Sequence, residues 1–225
     1  MAGERHAIAI IGGTGALGAA LAKRWAKLGY PVIIGSRDAE RARTSAAALS
    51  EEAGRAIRAA TNRAAAEAGD IVIITVPYAS HDAICADIGP AVAGKIVVDT
   101  TVPLVPPKVM RVQLPAEGSA ALAAQRILGD RASVVSALHT VAAHRLAAGD
   151  SIDGDVLVFG DKRDARAQVI ALIEALGLRA LHGGPLANSA AAEALTSVLI
   201  FINRTYAVDG AGLRITGDLK APKEP

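Results

Sequence analysis

The stretch AIAIIGGTGALG, residues 7–18, constrains the fold more than any other part of this chain. AIAIIG runs without a polar side chain and stops at glycine, the pattern of a strand buried on both faces of a parallel sheet. Gly13-Thr14-Gly15-Ala16-Leu17-Gly18 follows, and residues 16–29 then carry Leu17, Leu21, Trp25 and Leu28 at helical spacing up to Gly29, a natural C-cap. In a strand–glycine turn–helix order, the first glycine allows a tight turn. The second lets a pyrophosphate approach the backbone, and the third lets helix and strand pack closely. The helix start offers free N–H groups and the positive end of a dipole. This context predicts a dinucleotide site; a glycine turn without a ligand is the plainer alternative.

The alternation continues beyond the turn. Strands are expected at 31–35, weakly at 55–60, and at 70–77, 95–101, 132–138, 155–160 and 178–183. Helices are expected at 38–52, 62–68, 80–92, 119–128, 162–176 and 189–206. Such βαβ repetition predicts an α/β, Rossmann-type doubly wound fold with a mostly parallel sheet. A small C-terminal α/β extension ends it in a long apolar helix. We divide the chain into a nucleotide-binding domain, 1–130, and a smaller C-terminal region, 131–225. Residues 102–118 hold four prolines and read as a loop, because proline removes the donors a central strand needs.

Composition excludes several roles. With 52% hydrophobic residues over 225 positions, a packed core is expected. Aromatics are 3% and the net charge is +2 without a basic block, which argues against nucleic-acid or anionic-membrane partners. No uninterrupted apolar run reaches the roughly 18 residues of a membrane span. The N-terminus enters a strand almost at once, leaving no room for a signal peptide, so a cytoplasmic location is expected. The single cysteine, Cys85, excludes an intrachain disulfide and reads as a small buried hydrophobe. No metal cluster is expected.

The second strand ends on Ser36-Arg37, 23 residues past Gly13. An acid at this point would accept hydrogen bonds from the ribose hydroxyls of NAD and repel an added phosphate. A hydroxyl and a guanidinium do the reverse, since both can donate to the 2′-phosphate of NADP. Arg41, one helical turn on, adds a third contact. Asp38 either tempers that field or stabilises a helix start.

Two further stretches stand out. SALHTVAAHRL, residues 136–146, delivers His139 to the C-terminal end of a strand, where open α/β sheets place ligands. There it can contact a cofactor, relay a proton or bond to backbone. In GGPLANSAAAEALTSVLIFIN, residues 183–203, Ser189 is placed as an N-cap and Glu193 suits the first-turn dipole.

In order, the segments IGGTGALG, IIGSRDAERA, TVPY, VVSALHTV and GPLANSAAAEALTSVL resemble those of the deazaflavin-dependent NADP oxidoreductases. Those enzymes pass a hydride between NADP(H) and coenzyme F-420. The resemblance covers about residues 7–215, and its last two segments are the most particular. It implies that Thr14, Gly15, Ala16 and Leu17 line the pyrophosphate and nicotinamide ribose, and that Ser36, Arg37 and Arg41 take the 2′-phosphate. Pro77 and Tyr78 follow the fourth strand. Val141 and Ala143 match positions near the nicotinamide. His139, Pro185 and Leu186 help wall the deazaflavin pocket, which the C-terminal region completes. Ala142 stands where the family pattern has proline, and the loop 99–118 is longer and richer in proline. The resemblance also points to a homodimer, which the apolar final helix invites.

Hydride transfer between two planar rings needs face-to-face positioning and exclusion of water, with little covalent help from protein. His139 is the one candidate for a catalytic part, orienting a ring edge or standing near the balancing proton. Read from residues alone, two alternatives stay open. One is an NADPH-dependent reductase of a pterin, a flavin-like ring or an imine. The other is an NADP(H)-binding sensor without turnover.

Overall fold

The computed structural model describes residues 5–149 and 151–222. Its apolar runs become the middle of one eight-stranded sheet, ordered β3-β2-β1-β4-β5-β6-β7-β8. The first six are β1 (Ile8–Ile11), β2 (Val32–Ser36), β3 (Ile57–Thr61), β4 (Ile71–Ile74), β5 (Ile96–Asp99) and β6 (Ser133–Ser136), all mutually parallel. β7 (Asp155–Phe159) meets β6 antiparallel through the pair Ser136↔Phe159, and β8 (Arg179–Gly184) returns parallel to β7. Strand order reverses between β1 and β4, which opens a crevice at their C-terminal ends.

Helices cover both faces. α1 (Ala16–Lys27), α2 (Ala39–Ala53), α6 (Ala143–Ala148) and α7 (Arg163–Glu174) close one core around Ile8, Ile10, Trp25 and Val158. α3 (Asn62–Ala68), α4 (His81–Ile88) and α5 (Ala120–Leu128) close the other around Ile11, Ile74, Val97 and Leu128. α1 binds the two ends of the sheet together. Trp25, fully buried, donates its indole N–H to Leu172 O at 3.0 Å, and Arg24 donates to Leu176 O at 3.0 Å. Burying so large a ring is favourable only because its N–H finds that carbonyl.

The structure departs from the sequence reading in places. The helix expected over 80–92 is three pieces, a 3-10 turn at Tyr78–Ser80, then α4, then a 3-10 turn at Gly89–Ala91 that carries Pro90. α6 was not anticipated, because six residues burying only Leu146 leave no readable period. Residues 102–118 carry neither strand nor helix, as expected.

The closing helix α8 (Ser189–Tyr206), with the turn before it, is long and apolar enough by length and composition to cross a membrane. Counting uninterrupted apolar residues passed it over, because Ser189, Glu193, Thr196 and Ser197 break the run. Its first half is turned inward, with Ser189, Ala192, Glu193 and Ser197 buried, while Phe201 is 53% exposed.

Candidate functional site

The glycine turn divides its tasks differently from the motif reading. The left-handed residue is Gly12 (φ 77°), one place before the motif, and the N–H groups of Gly12 and Gly13 both bond to Gly35 O at 3.1 Å. A Cβ on Gly13 would lie 2.7 Å from Ile34 Cβ, and one on Gly18 would lie 2.6 Å from Thr75 Oγ1. Those two glycines therefore serve close packing. A Cβ on Gly15 would meet nothing nearer than Gly12 O at 3.4 Å, so Gly15 borders open space. Gly15 is also the N-cap of α1, and no side chain among the described residues caps that end. Its first-turn N–H groups are left for an anion.

The open space is a cavity of about 230 Å³ lined by Thr14, Gly15, Ser36, Arg37, Arg41 and Pro77. It shares Ser36, Arg37, Asn62, Ser80 and Ile84 with a larger cavity of about 530 Å³, which runs between the start of α3 and one face of α4. Ser36 is 8% exposed, and its Oγ accepts the Asp38 N–H at 3.1 Å. Asp38 caps α2, accepting from Glu40 N at 3.0 Å and Arg41 N at 3.1 Å, which settles its role as a helix cap. Among the described residues, the guanidinium groups of Arg37 and Arg41 carry no ion pair, while nearby Arg43 pairs with Glu40 and Arg63 with Glu67. Two unpaired cations beside an uncapped helix start fit a phosphorylated dinucleotide.

The other half of the rim is closed upon itself. His139 follows β6, 7% exposed, with Nε2 2.9 Å from Ser136 Oγ. Burial pulls its pKa down to about 4, so the ring is neutral at ordinary pH. Leu138, just before it, is held at φ 69°, a left-handed conformation that costs a branched residue energy and marks a tightly determined backbone. Thr196 of α8 donates to His139 O at 3.1 Å.

Ser189 is not the cap of α8. Asn188 takes that position, and Ser189, fully buried, donates to Ser119 Oγ at 2.9 Å. Glu193 reaches away from its own helix to accept from Ala120 N at 2.7 Å and Ala121 N at 3.2 Å, capping α5. Burial raises its pKa to about 7 against the pull of those N–H groups.

A sequence model described as NADP oxidoreductase, coenzyme F420-dependent, matches residues 7–103. The F420-dependent NADP reductase of Methanothermobacter thermautotrophicus is 39% identical over 93% of this chain and 94% of that protein. This chain belongs to the F420-dependent NADP reductase family. The reductase of Methanocaldococcus jannaschii is 38% identical over 93% of this chain and 97% of its own length. A putative F420-dependent NADP reductase from Arthrobacter sp. FB24 superposes with a TM-score of 0.78 at 26% identity, covering 93% of this chain and 99% of that one.

In this family member the rim brings Gly15, Thr14, Ser36, Arg37, Arg41 and Pro77 to one cavity. Gly13, Gly18, Ala16 and Leu17 form the turn and helix start behind it. Tyr78 is half-buried beside Pro77, its ring stacked on His81 at 6.4 Å between centroids. Val141 and Ala142 line a separate cavity of about 120 Å³ against the segment 210–213, and Ala143 begins α6. Pro185 is exposed, while Leu186 lies in the interior at 1% exposure.

Motif reading missed the wall of the larger cavity, formed by Thr61, Asn62, Arg63, Ser80, Ala83 and Asp87. A signal for part of it existed. Thr61 stands in register beside Ser36, so residues ending the third strand share the rim with those ending the second.

Proposed function

We propose that this protein transfers a hydride between NADP(H) and the deazaflavin coenzyme F-420. The observation that carries the reading is the open anion clamp of Gly15, Ser36, Arg37 and Arg41 in a chain of this family. NADPH supplies the hydride when bound, and the deazaflavin takes it up together with a proton.

In this reading each residue has a task that its position supports. The N–H groups at the start of α1, at Ala16 and Leu17, meet the pyrophosphate, with Gly13, Gly15 and Gly18 giving the backbone its close approach and Thr14 at the rim. Ser36, Arg37 and Arg41 hold the 2′-phosphate. The larger cavity beyond them receives the adenosine.

Pro77 and Tyr78 border the nicotinamide end of the cleft, while Val141, which lines a separate cavity, Ala143 and Pro185 belong to the acceptor side, with Leu186 in the core. His139, neutral and with Nε2 engaged by Ser136, orients an edge of the acceptor through Nδ1. Residues 131–225 complete the acceptor side, and residues 1–130 hold the nucleotide. The exposed face of α8, with Val198 and Phe201, supports a cytoplasmic homodimer that buries it. Its buried Glu193 speaks against a membrane partner, and the low charge against nucleic acid.

The test mixes purified protein with NADPH and oxidised deazaflavin and follows the acceptor's visible absorbance. Loss of that band at catalytic protein concentration is the expected result. A persistent band with NADPH still bound redirects the reading to a pterin, flavin-like or imine acceptor, or to a sensor. His139→Ala is expected to lower turnover; unchanged turnover and acceptor affinity would remove it from the site.

A further inference from the structure

α4 has eight residues and two faces. Ser80, Ala83, Ile84 and Asp87, at spacings of three, four and seven, line the larger cavity. His81, Cys85 and Ile88 point the other way and are fully buried. A helix this short carries little intrinsic stability, so its rotation is set by tertiary contacts.

One of those contacts is directional. His81 Nε2 lies 2.7 Å from Asp99 Oδ2 at the end of β5, with exposures of 0% and 1%. His81 Nδ1 lies 2.9 Å from Asp82 Oδ1, and Asp99 Oδ1 accepts the Thr101 N–H at 2.9 Å. Both ring nitrogens face carboxylate oxygens, so both carry protons and the ring is an imidazolium. Burial, the largest single influence, would lower the His81 pKa, but the bond to Asp99, the nearby Cys85 Sγ at 3.6 Å from Nε2 and the Asp99 charge together outweigh it and carry it to about 11.

The mechanism above uses neither residue. We propose that His81 and Asp99 are positioning residues for the cofactor, a buried tether that sets the rotation of α4 so that its cavity face meets the adenosine. This rests on the NADP reading. A buried ion pair is weak evidence of stability, since apolar residues of similar volume often replace one without loss. What apolar residues cannot supply is direction, because their contacts tolerate rotation. The proposal therefore separates affinity from stability.

The experiment compares two double variants with the full-length wild type by thermal unfolding, by NADPH titration without acceptor, and by acceptor KM. His81→Leu with Asp99→Leu removes the tether. His81→Gln with Asp99→Asn keeps a neutral hydrogen bond. The expected result is an apolar variant that stays folded, with a Tm lowered because the Thr101 N–H loses its acceptor, binds NADPH about tenfold more weakly and shifts acceptor KM by less than about twofold. The amide pair is expected to bind NADPH within about threefold of wild type.

A folded apolar variant with wild-type NADPH affinity would overturn the proposal, as would an acceptor KM that moves as far as the NADPH constant. If the apolar variant does not fold, Asp99→Ala takes its place, and equal NADPH affinity in it and the amide pair overturns the tether. Failure of the wild type to bind NADPH strikes the NADP reading itself and is thus told apart.

Discussion

The two halves of the rim treat polar groups in opposite ways. Around β1 and β2 donors are left open: α1 starts without a side-chain cap, and Arg37 and Arg41 stand unpaired among the described residues. Around β6 and α8 polar groups are spent on one another. His139 is held by Ser136, Ser119 by Ser189, and the start of α5 by Glu193. Open donors suit a ligand that brings its own charge. Closed ones suit a planar ring that needs a rigid, dry wall, since an unspent buried polar group would cost free energy or draw in water.

The largest expected effect tests the open half. Arg37→Ala should weaken NADPH roughly 10- to 100-fold, the worth of a charge-assisted hydrogen bond, and leave NADH unchanged. Equal loss for both cofactors in a binding titration would mean that Arg37 does not read the phosphate.

Next comes the closed half. Glu193→Ala leaves two buried N–H groups without their acceptor and should cost about 2 kcal/mol in urea unfolding. The pH dependence of stability sharpens the contrast. Folding raises Glu193 from 4.5 to about 7, so its contribution is full below pH 4.5 and fades as pH rises through 7. Folding lowers His139 from 6.5 to about 4, so its contribution is present above pH 6.5 and lost as pH falls through 4. Urea midpoints across pH 4 to 8 should therefore lose the alkaline-side decline in Glu193→Gln and the acid-side decline in His139→Gln. Unchanged slopes would place both groups in water. The smallest effect belongs to the open half, where Asp38→Ala removes the α2 cap and should cost about 1 kcal/mol by thermal unfolding.

The same contrast explains what could be read in advance. The clamp is local: Gly15 and Ser36-Arg37 each act through neighbours in the chain, and strand ends put them on one rim. Glu193 carries no such signal, because its partners are 72 and 73 residues away and its spacing mimics a residue serving its own helix. His81 and Asp99 fall between. An acid ending the apolar run IVVD hints at a buried partner, but that partner is 18 residues off and appears only once α4 is docked. α6 was illegible for a different reason, being shorter than two helical turns.

The indole bond of Trp25 has a mechanical consequence. Many two-part nucleotide enzymes admit ligands by swinging one lobe away from the other. Here the helix that begins at the glycine turn is fastened near its far end to Leu172 and Leu176, in and just after α7. The sheet also runs unbroken from β5 into β6. Swinging the lobes apart would strip a fully buried ring of its acceptor and tear a strand pair. Opening of the cleft by such a swing would therefore work against both contacts at once.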